Sequence, residues 1–112
     1  MQFDIQGNIN ITTELRGHIE RRLCFALERF ARRIRKIRVN VADLNGPRGG
    51  IDKRCRVAIV LEPSRTIVME DRDSDIYVAI DRAADRIARC VRRQFKRLNL
   101  TGRQAKIPEV LC

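Results

Sequence analysis

Arg82, Arg86, Arg89 and Arg93 recur at intervals of three and four residues, with Lys96 and Arg97 behind them. On a helix that spacing stacks the six cations along one side. At 1.5 Å rise per residue the ladder is roughly 22 Å long, comparable to several phosphate spacings of a nucleic acid. A guanidinium fork bridges two phosphate oxygens at once, so the chemistry on offer is grip on a polyanion. Only Asp81 and Asp85 stand against the seven basic residues between 82 and 97, whereas a face that merely solvates a helix mixes the two signs. Arg29 and Arg32 on an earlier helical stretch, and Arg48, Lys53 and Arg54 around a glycine-rich segment, complete the candidate RNA-binding set.

Other chemistries find no residues to carry them. His18 is the one histidine, and no Ser or Cys sits in a nucleophile motif. Gly46-Pro47-Arg48-Gly49-Gly50 lacks the phosphate-loop lysine and falls between two predicted strands, not ahead of a helix. Asp71 and Asp73 read as helix caps. Cys24, Cys55, Cys90 and Cys112 are scattered without a C-x-x-C pair, so no zinc site is expected, and a disulfide framework would need an oxidising compartment. Cys24, Cys55 and Cys90 are expected to be buried free thiols, and Cys112 to sit in a loose tail. No catalytic residue, metal, cofactor or small-molecule substrate is predicted.

The totals agree with polyanion binding. Lys and Arg number 24 against 14 Asp and Glu, a net charge of +10 and a predicted pI of about 10.7. Such a field attracts nucleic acid above all and an anionic membrane second. All but four of the cations are Arg, which favours RNA, although a GC-rich genome raises Arg as well. Met1-Gln2-Phe3-Asp4-Ile5 has no basic stretch leading into an apolar run, and no apolar segment of roughly 18 residues follows. The expectation is a cytoplasmic protein without membrane contact.

The elements that must position the ladder follow from periodicity. The 112 residues suit one domain. Residues 2 to 6 alternate as a first strand. Thr12 or Thr13 can cap a helix over 13 to 35, with Leu15, Ile19, Leu23, Leu27, Phe30 and Ile34 inward and Arg21, Phe25, Glu28, Arg29, Arg32 and Lys36 outward. A slight rotation of that helix would bury the edge of Phe25. Strands follow at 37 to 42, 53 to 62 and 66 to 70, the last two joined by a turn at Pro63-Ser64-Arg65. A second helix runs from 75 to 98, entered through acidic cap candidates at 71 to 75. The class is α+β, in the order β-α-β-β-β-α, with two helices on one face of a four-stranded sheet. Strands two to four should form an antiparallel meander, and the other face, with Arg38, Asn40, Arg54, Arg56 and Glu62, should be wet. Residues 1 to 98 form the domain and 99 to 112 a flexible tail.

The run Asp75-Ile76-Tyr77-Val78-Ala79-Ile80-Asp81, the Arg86-Ile87-Ala88-Arg89 after it, and Met1 to Gly7 with Ile11-Thr12 resemble the ribosome hibernation promoting factor and ribosome-associated inhibitor A family. The resemblance covers residues 1 to 98. It implies a fold like a double-stranded-RNA-binding domain that docks on 16S-type rRNA of the small ribosomal subunit, occupies the channel of messenger and transfer RNA, and keeps idle ribosomes inactive. Carried over by position, Arg82, Arg86, Arg89 and Arg93 would face the rRNA. The segment from Asn45 to Cys55 departs from the usual hibernation factors. Long family members add a C-terminal dimerisation domain, and the chain ends before one, so a monomer off the ribosome is expected. Two other readings stay open: a binder of structured RNA without ribosome preference, and a protein-interaction module using Phe25 and the open sheet face.

Overall fold

The computed structural model describes residues 2–44, 53–61, 65–101 and 109–111, with side chains described as far as residue 96. Strand β1 (Gln2–Gly7) buries Ile5 and runs parallel to β2 (Ile34–Asp43). Gly7 lies beside Val41 at φ 154°, where an added Cβ would sit 1.8 Å from the Val41 carbonyl oxygen, so only glycine lets the strand close here. Asn8 then fastens the end of β1, accepting from the Asp43 N–H at 2.8 Å.

Helix α1 (Thr13–Leu27) starts where Thr12 Oγ1 accepts from the Leu15 N–H at 3.1 Å. Leu15, Ile19, Leu23 and Leu27 form its buried stripe. The helix does not continue to residue 35 as its apolar spacing predicts. Residues Glu28–Arg33 tighten into a 3-10 helix, and Ile34 already pairs with Leu61 at the start of β2. Helical spacing at Phe30 and Ile34 is overridden because the ten-residue β2 satisfies its backbone along β3, with a register shift between Ile34 and Lys36.

Strands β2, β3 (Lys53–Leu61) and β4 (Arg65–Asp73) make the expected antiparallel meander. Cys55, Val57, Ile59 and Leu61 alternate inward, opposite Asp71, Met69, Ile67 and Arg65. Helix α2 (Ile76–Thr101) begins where Asp75 Oδ1 accepts from the Tyr77 N–H at 2.9 Å. It buries Ile80, Ala83, Ala84, Ile87, Val91 and Phe95 in one cluster with α1 and the inner sheet face. The α+β class and the two helices on one sheet face are thus as the pattern predicts.

The C-terminal segment brings an addition. Within the stretch read as a loose tail, α2 continues to Thr101 and Glu109–Leu111 form β5, parallel to β4, so the sheet order is β1-β2-β3-β4-β5. Cys90 corrects the thiol reading: it is disulfide-bonded, not a free thiol. Disulfide pairing depends on proximity in space, which the scattered spacing of the cysteines does not reveal. Cys55 is a buried free thiol as expected, and Cys24 is free but only half-buried. The Pro63-Ser64 turn and Glu62 lie outside the described residues. Among the described residues no helix is long and apolar enough to cross a membrane.

Candidate nucleic-acid interface

The charges of α2 are sorted onto two flanks by what packs beside it. Toward α1, the Arg22 Nε donates to Asp81 at 3.0 Å and the Arg22 Nη2 to Asp85 at 3.1 Å. His18 Nε2 lies 2.7 Å from the same Asp81 carboxylate, and its ring meets Tyr77 edge-on at 4.9 Å. The two acids that interrupt the cationic run of α2 are therefore both paired with Arg22 of α1, although their side chains stay 45% and 63% exposed.

On the flank toward β4, Arg82 pairs with Asp73 and lies 3.6 Å from Asp71, while Arg86 donates to Asp71 at 3.1 Å. Asp71 and Asp73 belong to β4, so the cap reading fails for them; Asp75 takes that role. Asp71 is only 8% exposed because it falls in phase with inward Ile67 and Met69. Its charge, behind the larger effect of burial, pushes the cross-strand neighbour Cys55 up to about 12, so that thiol stays protonated at neutral pH. Asp73 is held below the usual carboxylate range, first by the Asp75 backbone N–H and then by Arg82. Arg82 and Arg86 thus enter the site braced by carboxylates, yet their side chains remain 50% and 46% exposed.

Beyond Arg86 the bracing stops. Arg89, Arg92, Arg93 and Lys96 are exposed, and among the described residues none has an acidic partner. Arg86, Arg89, Arg92 and Arg93 rim a groove of about 430 Å³ that also touches Met69. Four guanidiniums around a partly apolar depression suit the phosphate oxygens and riboses of a nucleic-acid backbone. Arg92 was absent from the candidates, though its place in the run of cations could have found it. The bracing Asp71 was legible as well, as a carboxylate in step with Ile67 and Met69.

The remaining candidates are distributed differently from expectation. Arg29 and Arg32 are exposed, but on the 3-10 segment and not on the outer face of α1; Lys36 is in β2. The 3-10 segment is pinned to the C-terminal half of α2: Phe30 meets Phe95 at 5.1 Å, and the Arg33 guanidinium lies 4.5 Å over the Phe95 ring. This brings Arg29, Arg32 and Arg33 to the end of the molecule where Arg92 and Lys96 are exposed. Lys53 is tied to Asp43 at the head of β3. Arg54 is on the helix-free side of the sheet, with Nη2 3.5 Å from Asn40 Oδ1 and Nε buried without an acceptor, so it does not join the ladder. Arg48 and the Arg97 side chain lie outside the described residues. Phe25, expected to bury an edge, is 74% exposed: α1 presents Leu23 and Leu27 to the core, which turns the position between them outward.

The sigma 54 modulation protein / S30EA ribosomal protein family matches residues 3–99 of this chain. The chain belongs to that family. A curated member, the ribosome hibernation promotion factor of Deinococcus radiodurans, is 33% identical over 107 residues, covering 93% of this chain and 53% of the relative. The chain therefore spans about half the length of that relative. Among solved structures, the N-terminal domain of Thermus thermophilus Protein Y superposes with a TM-score of 0.69 at 28% identity, over 84% of this chain and 99% of that one. A ribosomal subunit interface protein from Coxiella burnetii gives a TM-score of 0.71 at 19% identity, over 86% of this chain and 99% of that one, a likeness of fold. The family resemblance read from the D-x-Y-x-A-I-D run is the family that matches.

Proposed function

We propose that this domain is a non-catalytic ribosome-associated factor that docks on small-subunit rRNA through the outer face of α2 and the adjoining 3-10 segment. Docked there, it blocks the path of messenger and transfer RNA and holds the ribosome inactive, in the cytoplasm. The observation that carries the reading is the segregation of charge on α2: Asp81 and Asp85 are paired with Arg22 on the α1 side, while Arg89, Arg92, Arg93 and Lys96 are exposed without acidic partners among the described residues. A face so sorted meets phosphate with little acid to repel it, and each contact releases counterions. Family membership and the Deinococcus relative's name supply the ribosome as the target.

The test is co-sedimentation with purified 30S subunits in gradients of low and high salt. The native protein is expected in the 30S peak at low salt and to leave it as salt rises. Arg89→Glu with Arg93→Glu should abolish the association while leaving the fold intact, since both side chains are exposed. Absence of the native protein from the peak in both gradients refutes the reading. Bulk duplex RNA that competes as effectively as 30S subunits would favour a structured-RNA binder without ribosome preference.

A further inference from the structure

The helix-free face of the sheet is a second cationic surface, built separately from α2. Across the strands its rows read Asp4, Arg38, Ala58, Val68; then Gln6, Asn40, Arg56, Glu70; then Ala42, Arg54, Arg72. Lys36 adds a fifth cation beside these four arginines, against the two carboxylates of Asp4 and Glu70. Both acids are already engaged, Asp4 3.8 Å from Lys36 and Glu70 3.5 Å from Arg72. Arg38 and Arg56 are exposed and, among the described residues, have no partner. They border a depression of about 300 Å³ that Gln6, Asn40 and Thr66 line with neutral hydrogen-bonding groups and that the Lys36-engaged Asp4 also lines.

This surface is not simply a sample of a protein that is positive everywhere. On the outer side of α1 the exposed charges are Glu14, Arg16, Glu20 and Arg21, equal in sign count, and Arg16 and Glu20 approach to 4.0 Å. Among the described residues the open sheet thus carries five cations against two acids, while the outer side of α1 is balanced.

The geometry points to a second RNA-binding surface: the open sheet face, centred on Arg38 and Arg56, takes the phosphodiester backbone of a second RNA segment, so that one domain bridges two. The inference rests on the reading that the α2 side binds RNA. A nucleic-acid backbone fits better than a membrane, because the apolar residues among the cations, Ala42, Ala58, Val60 and Val68, are small or at least half-buried and present no large exposed side chain to insert into lipid. The molecule's shorter extents are 23 and 18 Å. Two backbones held on opposite sides would thus be separated by more than the Debye length of about 8 Å at physiological salt, and their repulsion is largely screened.

A bridging assay with the full chain tests this. One duplex RNA of about 16 base pairs, a length that suits a compact RNA-binding domain, is immobilised, and a second, fluorescent copy is free in solution. Native protein is expected to carry the fluorescent duplex to the surface. Arg38→Glu with Arg56→Glu should abolish that capture while the immobilised duplex still binds the protein. Arg38→Gln with Arg56→Gln, a milder change with the fold checked by circular dichroism, should weaken it in the same direction. Native protein that binds the immobilised duplex but captures no second one overturns the inference and leaves the proposed function standing. Capture that survives the Arg38→Glu, Arg56→Glu pair also overturns it, because bridging would then come from protein self-association. Native protein that binds neither RNA nor 30S subunits overturns both.

Discussion

Asp71 is the residue on which the N-terminal half of the site turns. It is nearly buried, yet it faces two arginines that reach it from α2. Asp71→Ala should cost about 1–3 kcal/mol in urea denaturation, because a buried charge-assisted contact is lost. RNA affinity should be unchanged or higher, since Arg82 and Arg86 lose an internal competitor; a parallel fall in affinity would show that bracing matters more than freedom. Cys55, opposite it, supplies a pH prediction. Its thiol titrates near 9.0 when unfolded and near 12 when folded, so folding favours the protonated form. That contribution is complete below pH 9 and is lost as pH rises toward 12. At pH 8 an alkylating reagent should therefore modify half-buried Cys24 well before Cys55, as read by mass spectrometry of the native protein. Phe25, by contrast, is 74% exposed, and Phe25→Ser should shift stability by no more than about 0.5 kcal/mol.

Among the elements, the 3-10 segment depends most on contacts made elsewhere. It has no buried residue of its own and is fastened through Phe30 and Arg33 to Phe95. Phe95→Ala should cost about 3–5 kcal/mol, the range for emptying a buried aromatic site. It should also weaken 30S binding beyond what lost stability explains, measured at a temperature where the variant is still folded, because Arg29 and Arg32 lose their platform. Strand β1 has a different weak point. Gly7→Ala forces a Cβ onto the Val41 carbonyl at a positive φ, and should cost on the order of 1–3 kcal/mol by thermal melt. That the helix pattern ran past Leu27 in the sequence has a physical cause. Phe30 and Ile34 keep helical spacing because both face the core in either conformation, and periodicity alone cannot register that β3 offers β2 a full ladder from Ile34 onward.

For the whole molecule, the distribution of charge decides behaviour more than its sum. Binding through Arg89, Arg92, Arg93 and Lys96 should give a linear fall of log affinity with log salt, and each phosphate contact removed should reduce that slope by about one. A slope unchanged in the Arg89→Glu, Arg93→Glu variant would place the interface elsewhere. The sequence by itself determined the two helices and the first four strands in their order, the meander, the inward stripes of both helices and the cationic run of α2, because period and composition are local properties; it did not give the 3-10 turn after α1 or the strand β5. It also carried the family, through a short run at the start of α2. Only the tertiary structure decided which cations are spoken for: β4 lies beside one flank of α2 and engages Arg82 and Arg86, while α1 lies beside the other and pairs with Asp81 and Asp85. It likewise turned Arg54 to the far side of the sheet and moved Arg29 and Arg32 off α1. Those outcomes depend on distances between residues far apart in the chain, which no local pattern encodes.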